Sequence, residues 1–168
     1  MPNNPVVNIV IAGLGGQGVI TASDILADAA FRAGLDVKKS EIHGMSQRGG
    51  SVASDVRIGQ KVLSPMVPPG EADFLVVLSP DQVEPNRHQL KPGGMLIAPE
   101  MVDERALQNK RSLNVALLGI LSARLPMVPE ARWIESLKAS LPEKIIEVNL
   151  QAFEMGRQTE PKKMPPAG

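Results

Sequence analysis

Two glycine-rich segments carry most of the groups in this chain that could do chemistry. The first, Gly13-Leu14-Gly15-Gly16-Gln17-Gly18, has G-x-G-x-x-G spacing. Glycines so placed allow a tight turn and close backbone approach, and free N–H groups at the start of a following helix attract an anion. That chemistry is nucleotide or phosphate binding. The plainer use of the same residues is a tight strand–helix turn for packing or for a subunit contact. A dinucleotide site also needs an acid about 20 residues on, to hold a ribose. Here that position reads Val37-Lys38-Lys39-Ser40, with Glu41 the nearest acid. Either the lysine pair faces a 2′-phosphate or it is an ordinary solvated strand edge.

The second segment is His43-Gly44-Met45-Ser46-Gln47-Arg48-Gly49-Gly50-Ser51. It gathers three glycines, a guanidinium, hydroxyls and an amide within nine residues. Arg48 can clamp a phosphate or carboxylate in bidentate fashion where the glycines let the backbone come close. The alternative is a crossing loop with Arg48 in solvent. The candidate cofactor-binding or partner-facing residues are therefore Gly13, Gly15, Gly16, Gln17 and Gly18, with Ser46, Gln47, Arg48, Gly49 and Gly50.

Acid–base, nucleophilic and metal chemistry are poorly supplied. The only histidines are His43 and His88, too few for a usual zinc site. His43 lies within reach of Ser46 in the loop but has no obvious carboxylate to orient it. The chain has no cysteine, which removes disulfides, thiolate metal sites, a Cys nucleophile and Cys-ligated iron–sulfur clusters. No catalytic residue and no metal ligand is assigned. Met45, Met66, Met95, Met101 and Met127 are scattered and read as gap-fillers in a core or an interface.

The elements that must position the two segments follow from periodicity. Val6–Ala12 is a β-branched run suited to a strand buried on both faces. After the first glycine segment, Val19–Ala33 carries apolar residues on one helical face, and Gly34 stops it. Asp36–Ile42 is a short second strand, so the His43–Gly50 loop lies at a strand's carboxyl end, where open α/β sheets place ligands. Ser51–Ile58 alternates, and Gly59-Gln60 forms a two-residue turn into Lys61–Ser64, which predicts a hairpin. Asp73–Leu78 is another buried strand, followed by a short helix over Asp81–Leu90, a turn at Lys91–Gly94 and a strand at Met95–Ala98. Asn114 is placed as the N-cap of a helix over Val115–Leu125, with Val115, Leu118 and Leu121 on one stripe. Helices over Glu130–Ser140 and Glu143–Gly156 follow. Alternating strands and helices predict a three-layer α/β/α sandwich around a Rossmann-like, mostly parallel sheet with one hairpin.

Composition bounds the partners. At 168 residues the chain is one domain, placed at residues 1–157, with a Pro-rich tail at 158–168 that is expected to be mobile or laid on a partner. Lys plus Arg and Asp plus Glu are 18 each, so the net charge is zero, which argues against nucleic acid and membrane surfaces. Three Phe and one Trp are too few aromatics for a base-stacking platform. No apolar run is long enough to span a membrane, and Met1–Pro5 lacks the features of a signal peptide, so a cytoplasmic location is expected.

The ordered set of motifs resembles a known family. Asn8–Val19 together with His43–Val52 is similar to the gamma subunit, or gamma domain, of 2-oxoacid:ferredoxin oxidoreductases. Supporting matches are Leu63-Ser64-Pro65, Ala72-Asp73-Phe74, Asn114–Gly119 and Asn149–Gly156, so the resemblance covers about residues 6 to 157. The Gly44–Gly50 form looks most like the small, beta-designated subunit of indolepyruvate ferredoxin oxidoreductase. The segment between Pro99 and Asn114 is shorter than the family pattern, so its last strand is expected to be abbreviated.

The resemblance implies thiamine-dependent oxidative decarboxylation of a 2-oxoacid to an acyl-CoA, with electrons passing to ferredoxin. Thiamine diphosphate, Mg²⁺ and [4Fe–4S] clusters would sit in a large partner subunit, with coenzyme A a candidate at the interface. This chain would be inactive alone. Two other readings stay open: a stand-alone NAD(P)-binding oxidoreductase domain, and a ligand-free assembly module.

Overall fold

The computed structural model describes residues 5–44 and 50–159. Strand β1 (Val7–Leu14) has its six inner residues buried, as an uncharged and largely β-branched run in the middle of a sheet requires. Helix α1 (Val19–Arg32) starts directly after Gly18 and buries Val19, Ala22, Ile25, Leu26, Ala29 and Ala30. Gly34 ends it at φ +84°, and the Leu35 N–H donates to the Ala30 carbonyl at 3.1 Å, satisfying a carbonyl of the last turn.

Strands β2 (Asp36–His43), β3 (Ser51–Gly59), β4 (Ala72–Val77) and β5 (Leu90–Ile97) complete a five-stranded sheet in the order β2-β3-β1-β4-β5. The β1–β4 and β4–β5 pairs are parallel, whereas β3 is antiparallel to both β1 and β2. Four strands therefore run one way and β3 alone is reversed.

The hairpin lies elsewhere than the sequence predicts. Lys61–Ser64 is not a strand; β3 pairs with β2, across the connection that holds the second glycine segment. Side chains hold the 60–71 segment instead of a ladder. The Asp36 carboxylate accepts from Val62 N at 2.8 Å, Arg57 Nη1 donates to the Ser64 carbonyl at 2.9 Å, and Asp55 accepts from Val67 N at 2.9 Å.

The strand-to-helix connection after β4 is short: helix α2 (Val83–Asn86) lies between 3₁₀ turns at Pro80–Gln82 and Arg87–Gln89. From β5, three 3₁₀ turns (Pro99–Met101, Glu104–Ala106, Lys110–Ser112) lead without a strand to α3 (Leu113–Ser122). Helices α4 (Glu130–Ser140) and α5 (Glu143–Gln158) follow. The α3 sequence is apolar nearly all round, and it is buried all round: Asn114 through Ser122 are all buried, more than a single stripe.

The layers are unequal. Ile9 and Ile11 of β1 and Val56 and Ile58 of β3 share one core with α1, α3, α4 and α5, including the Trp133–Phe153 ring pair at 5.7 Å. The opposite face (Val10, Leu75, Val77, Leu96) is covered by Val67 of the 60–71 segment and by Val83 of α2. A fully buried Ile or Leu contributes about 1.5–3 kcal/mol, so the larger core fixes where β1 ends and α1 begins. That junction is the first glycine segment.

Candidate functional site

The glycine turn is built from its own residues. The Leu14 N–H donates to Gln17 Oε1 at 2.7 Å, and the Gln17 N–H returns to the Leu14 carbonyl at 3.2 Å. Gln17 is thus a clamp inside the turn. Its oxygen passes so close to Gly13 that a Cβ there would meet it at 2.9 Å. Gly16 and Gly18 adopt φ +88° and +87°, a region that side chains disfavour. Gly15 and Gly16 are exposed.

The turn touches the second glycine segment directly. Gly15 N–H donates to the Gly50 carbonyl at 2.9 Å. Gly13, Gly15, Gly16, Gln17 and Gly18 are therefore brought together with Gly50. Ser46, Gln47, Arg48 and Gly49 lie outside the described residues.

The turn forms a ridge between two clefts. On the β3 side, a cleft of about 410 Å³ is lined by Leu14, Val19, Ile20, Val52 and His43. On the α3 side, one of about 340 Å³ is lined by Gly16, Gln17, Gly18, Lys110, Arg111 and Asn114. The first is largely apolar, and the second carries two exposed cations.

Asn114 is not the helix cap. It is the second residue of α3, and its Nδ2 donates to the Gly18 carbonyl at 3.3 Å. A Cβ on Gly18 would collide with that amide. Neither the link nor the cleft cations Lys110 and Arg111 had a local signal, since Gly18 and Asn114 are 96 residues apart in the chain.

The groups considered for other chemistry are differently placed. His43 is exposed, with Nε2 3.9 Å from Glu41 Oε2, and His88 is exposed in the 3₁₀ turn after α2. Lys39 is engaged by Asp24 and by Glu41, the latter at 2.7 Å. Hydrogen bonding from Lys39 holds the Glu41 carboxyl below its ordinary range. Lys38 lies 3.9 Å from Asp36. The lysine pair is thus occupied by carboxylates, which disfavours the 2′-phosphate role and with it a stand-alone NADP site.

Comparison with known proteins gives a consistent set of relatives. The family described as pyruvate ferredoxin/flavodoxin oxidoreductase matches residues 8–159. The indolepyruvate oxidoreductase subunit IorB of Thermococcus kodakarensis is 38% identical, across 89% of this chain and 93% of the relative. The 2-oxoglutarate synthase subunit KorC of Methanothermobacter thermautotrophicus is 31% identical, across 89% and 93%. The IorB match extends over 191 aligned positions, whereas 89% of 168 residues is about 150, so that relative has up to about 40 more residues in the matched span.

Among solved structures, the gamma subunit of a keto/oxoacid ferredoxin oxidoreductase from Geobacter sulfurreducens superposes with a TM-score of 0.78 at 23% identity, covering 92% of this chain and 96% of that one. A 2-oxoglutarate:ferredoxin oxidoreductase from Magnetococcus marinus, solved with 2-oxoglutarate, coenzyme A and succinyl-CoA, gives 0.77 at 24%, covering 96% and 32%. At these identities the two structures support the fold.

Proposed function

Because the chain belongs to the pyruvate ferredoxin/flavodoxin oxidoreductase family, we propose that it is the small, gamma-type subunit of a 2-oxoacid:ferredoxin oxidoreductase acting on indolepyruvate or a related aryl-pyruvate. The observation that carries this is the IorB match, 38% identical over nearly the whole length of both proteins. The reaction is thiamine-dependent oxidative decarboxylation of the 2-oxoacid to an acyl-CoA, with electrons leaving through the complex to ferredoxin.

Thiamine diphosphate with Mg²⁺, and the [4Fe–4S] clusters, belong on this reading to the large partner subunit. The chain has no cysteine, so it offers no thiolate to a [4Fe–4S] cluster. What it offers instead is backbone. The Gly13–Gly18 turn and the Ser46–Gly50 loop face the partner or a phosphate of coenzyme A at the interface, with Arg48 as the clamp. Among the described residues no helix is long and apolar enough to cross a membrane. We infer a single domain that helix α5 carries through Gln158, in line with the family match over residues 8–159.

The test is reconstitution. The purified chain is expected to show no indolepyruvate-dependent reduction of a viologen dye, and co-expression with a large thiamine-binding subunit is expected to restore it. Turnover by the chain alone would sink the proposal. In the assembled complex, Arg48→Ala is expected to raise the KM for coenzyme A. A variant that only impairs assembly would favour the ligand-free module.

A further inference from the structure

We propose that Asn114 is a positioning residue for the glycine turn, holding the Gly18 carbonyl so that the turn keeps its ligand-binding orientation. This rests on the reading that the turn faces a coenzyme A phosphate.

The inference starts from an amide in the wrong company. Asn114 is the one amide side chain in the first turn of α3, a helix that is otherwise largely apolar and buried. Asn114 is nonetheless only 8% exposed there. A buried amide is costly unless its groups are paired. Its Oδ1 accepts from the Val115 N–H at 2.9 Å, a bond confined to its own helix, and its Nδ2 reaches across the fold to Gly18. Leucine would fill the same space in α3 without that cost, so packing alone does not account for the amide.

The Gly18 end shows the same design. Its carbonyl already accepts the first bond of α1, from Ala22 N at 2.9 Å. Asn114 adds a second donor from another element, so one carbonyl is held from both α1 and α3. The amide fits only because residue 18 lacks a Cβ. Turning that carbonyl toward α1 and α3 leaves the Gly16–Gly18 backbone at the mouth of the α3-side cleft. Asn114 also lines a second cavity of about 310 Å³ with Thr21, Arg111 and Asn149, so it forms part of the wall between the two.

The experiment uses the assembled complex with three variants of this chain. Asn114→Leu keeps approximate volume and removes the donor. Asn114→Asp keeps the shape and sets an acceptor against the Gly18 carbonyl. Gly16→Ala perturbs the turn without touching Asn114. Both Asn114 variants are expected to raise the KM for coenzyme A about fivefold while kcat at saturation and the KM for the 2-oxoacid stay within about twofold, the effect of one lost hydrogen bond. A lowered kcat with an unchanged coenzyme A KM would indicate a merely structural tether and overturn the proposal. If Gly16→Ala shifts that KM and the Asn114 variants do not, the turn reads the ligand but Asn114 does not position it. If none shifts it, the reading of the turn fails as well.

Should either Asn114 variant assemble poorly, amide hydrogen exchange on the full isolated chain decides. Exchange at Gly16–Val19 is expected to quicken about tenfold in Asn114→Asp, with the α3 amides unchanged. Unaltered exchange at the turn overturns the proposal.

Discussion

Gly156 of α5 lies against the carbonyl of Ala116 in α3, so close that a Cβ on Gly156 would fall on that oxygen. Gly119 stands opposite, and its own Cβ would strike the Phe153 carbonyl. The two helices meet backbone to backbone, and α3 is the helix that carries Asn114. Gly156→Ala must drive them apart, at a cost of about 3 kcal/mol. A fall in Tm of roughly 6–12 °C is expected in a circular dichroism melt. A Tm within about 2 °C of wild type would show that the crossing has room the geometry denies.

Gly18 and Gly34 share a conformation but not surroundings. Both have positive φ, +87° and +84°, yet a Cβ on Gly34 meets nothing within 4 Å while one on Gly18 meets the Asn114 amide. Alanine in the left-handed region costs about 1–2 kcal/mol at either site. Gly18→Ala is therefore expected to destabilise more than Gly34→Ala in urea titrations, and the difference reports the Asn114 contact. Equal losses would count against that contact.

Asp55 is 5% exposed on the face of β3 that the 60–71 segment covers. Burial pushes its carboxyl above the ordinary range, and the hydrogen bond from Val67 only partly opposes this. The folded chain therefore holds the proton to higher pH than the unfolded chain, whose value is about 3.9. Stability then falls as pH rises from that value through the folded pKa, and stays lowered above it. Asparagine can accept the same N–H without a charge. Asp55→Asn is expected to raise Tm at pH 7, with the gain vanishing below about pH 4. A gain that persists in acid would point to another cause.

Ser54 has a fully buried hydroxyl with no hydrogen-bond partner among the described residues. Removing an unsatisfied buried group relieves its desolvation cost, so Ser54→Ala is expected to stabilise by about 1 kcal/mol. The matching rise in Tm is roughly 2–4 °C. A lower Tm would mean that the hydroxyl is satisfied in solution.

Local pattern made much of the fold legible. The uncharged run of β1, the one-sided apolar face of α1 ending at Gly34, and the limits of α4 each follow from residues a few positions apart. The failures share a physical cause in distant partners. Gly59-Gln60 has the residues of a hairpin turn, but the backbone beyond it is held by Asp36 and Arg57, with Asp36 26 residues from Val62. Asn114 has the type of an N-cap, yet its partner is Gly18. At the site, the glycine turn was legible because its constraint is local: Gln17 closes on Leu14 three residues away. Lys110 and Arg111 were not, because only the packing of α3 brings them to the turn.

Pairing between β2 and β3 runs up to His43 opposite Val52, and Gly44 N–H donates to the Ser51 carbonyl at 2.6 Å. The connection that carries Ser46, Gln47 and Arg48 is therefore flanked on both sides by paired backbone. The β2–β3 register is thus set by pairs that end at His43 and Val52, outside that connection.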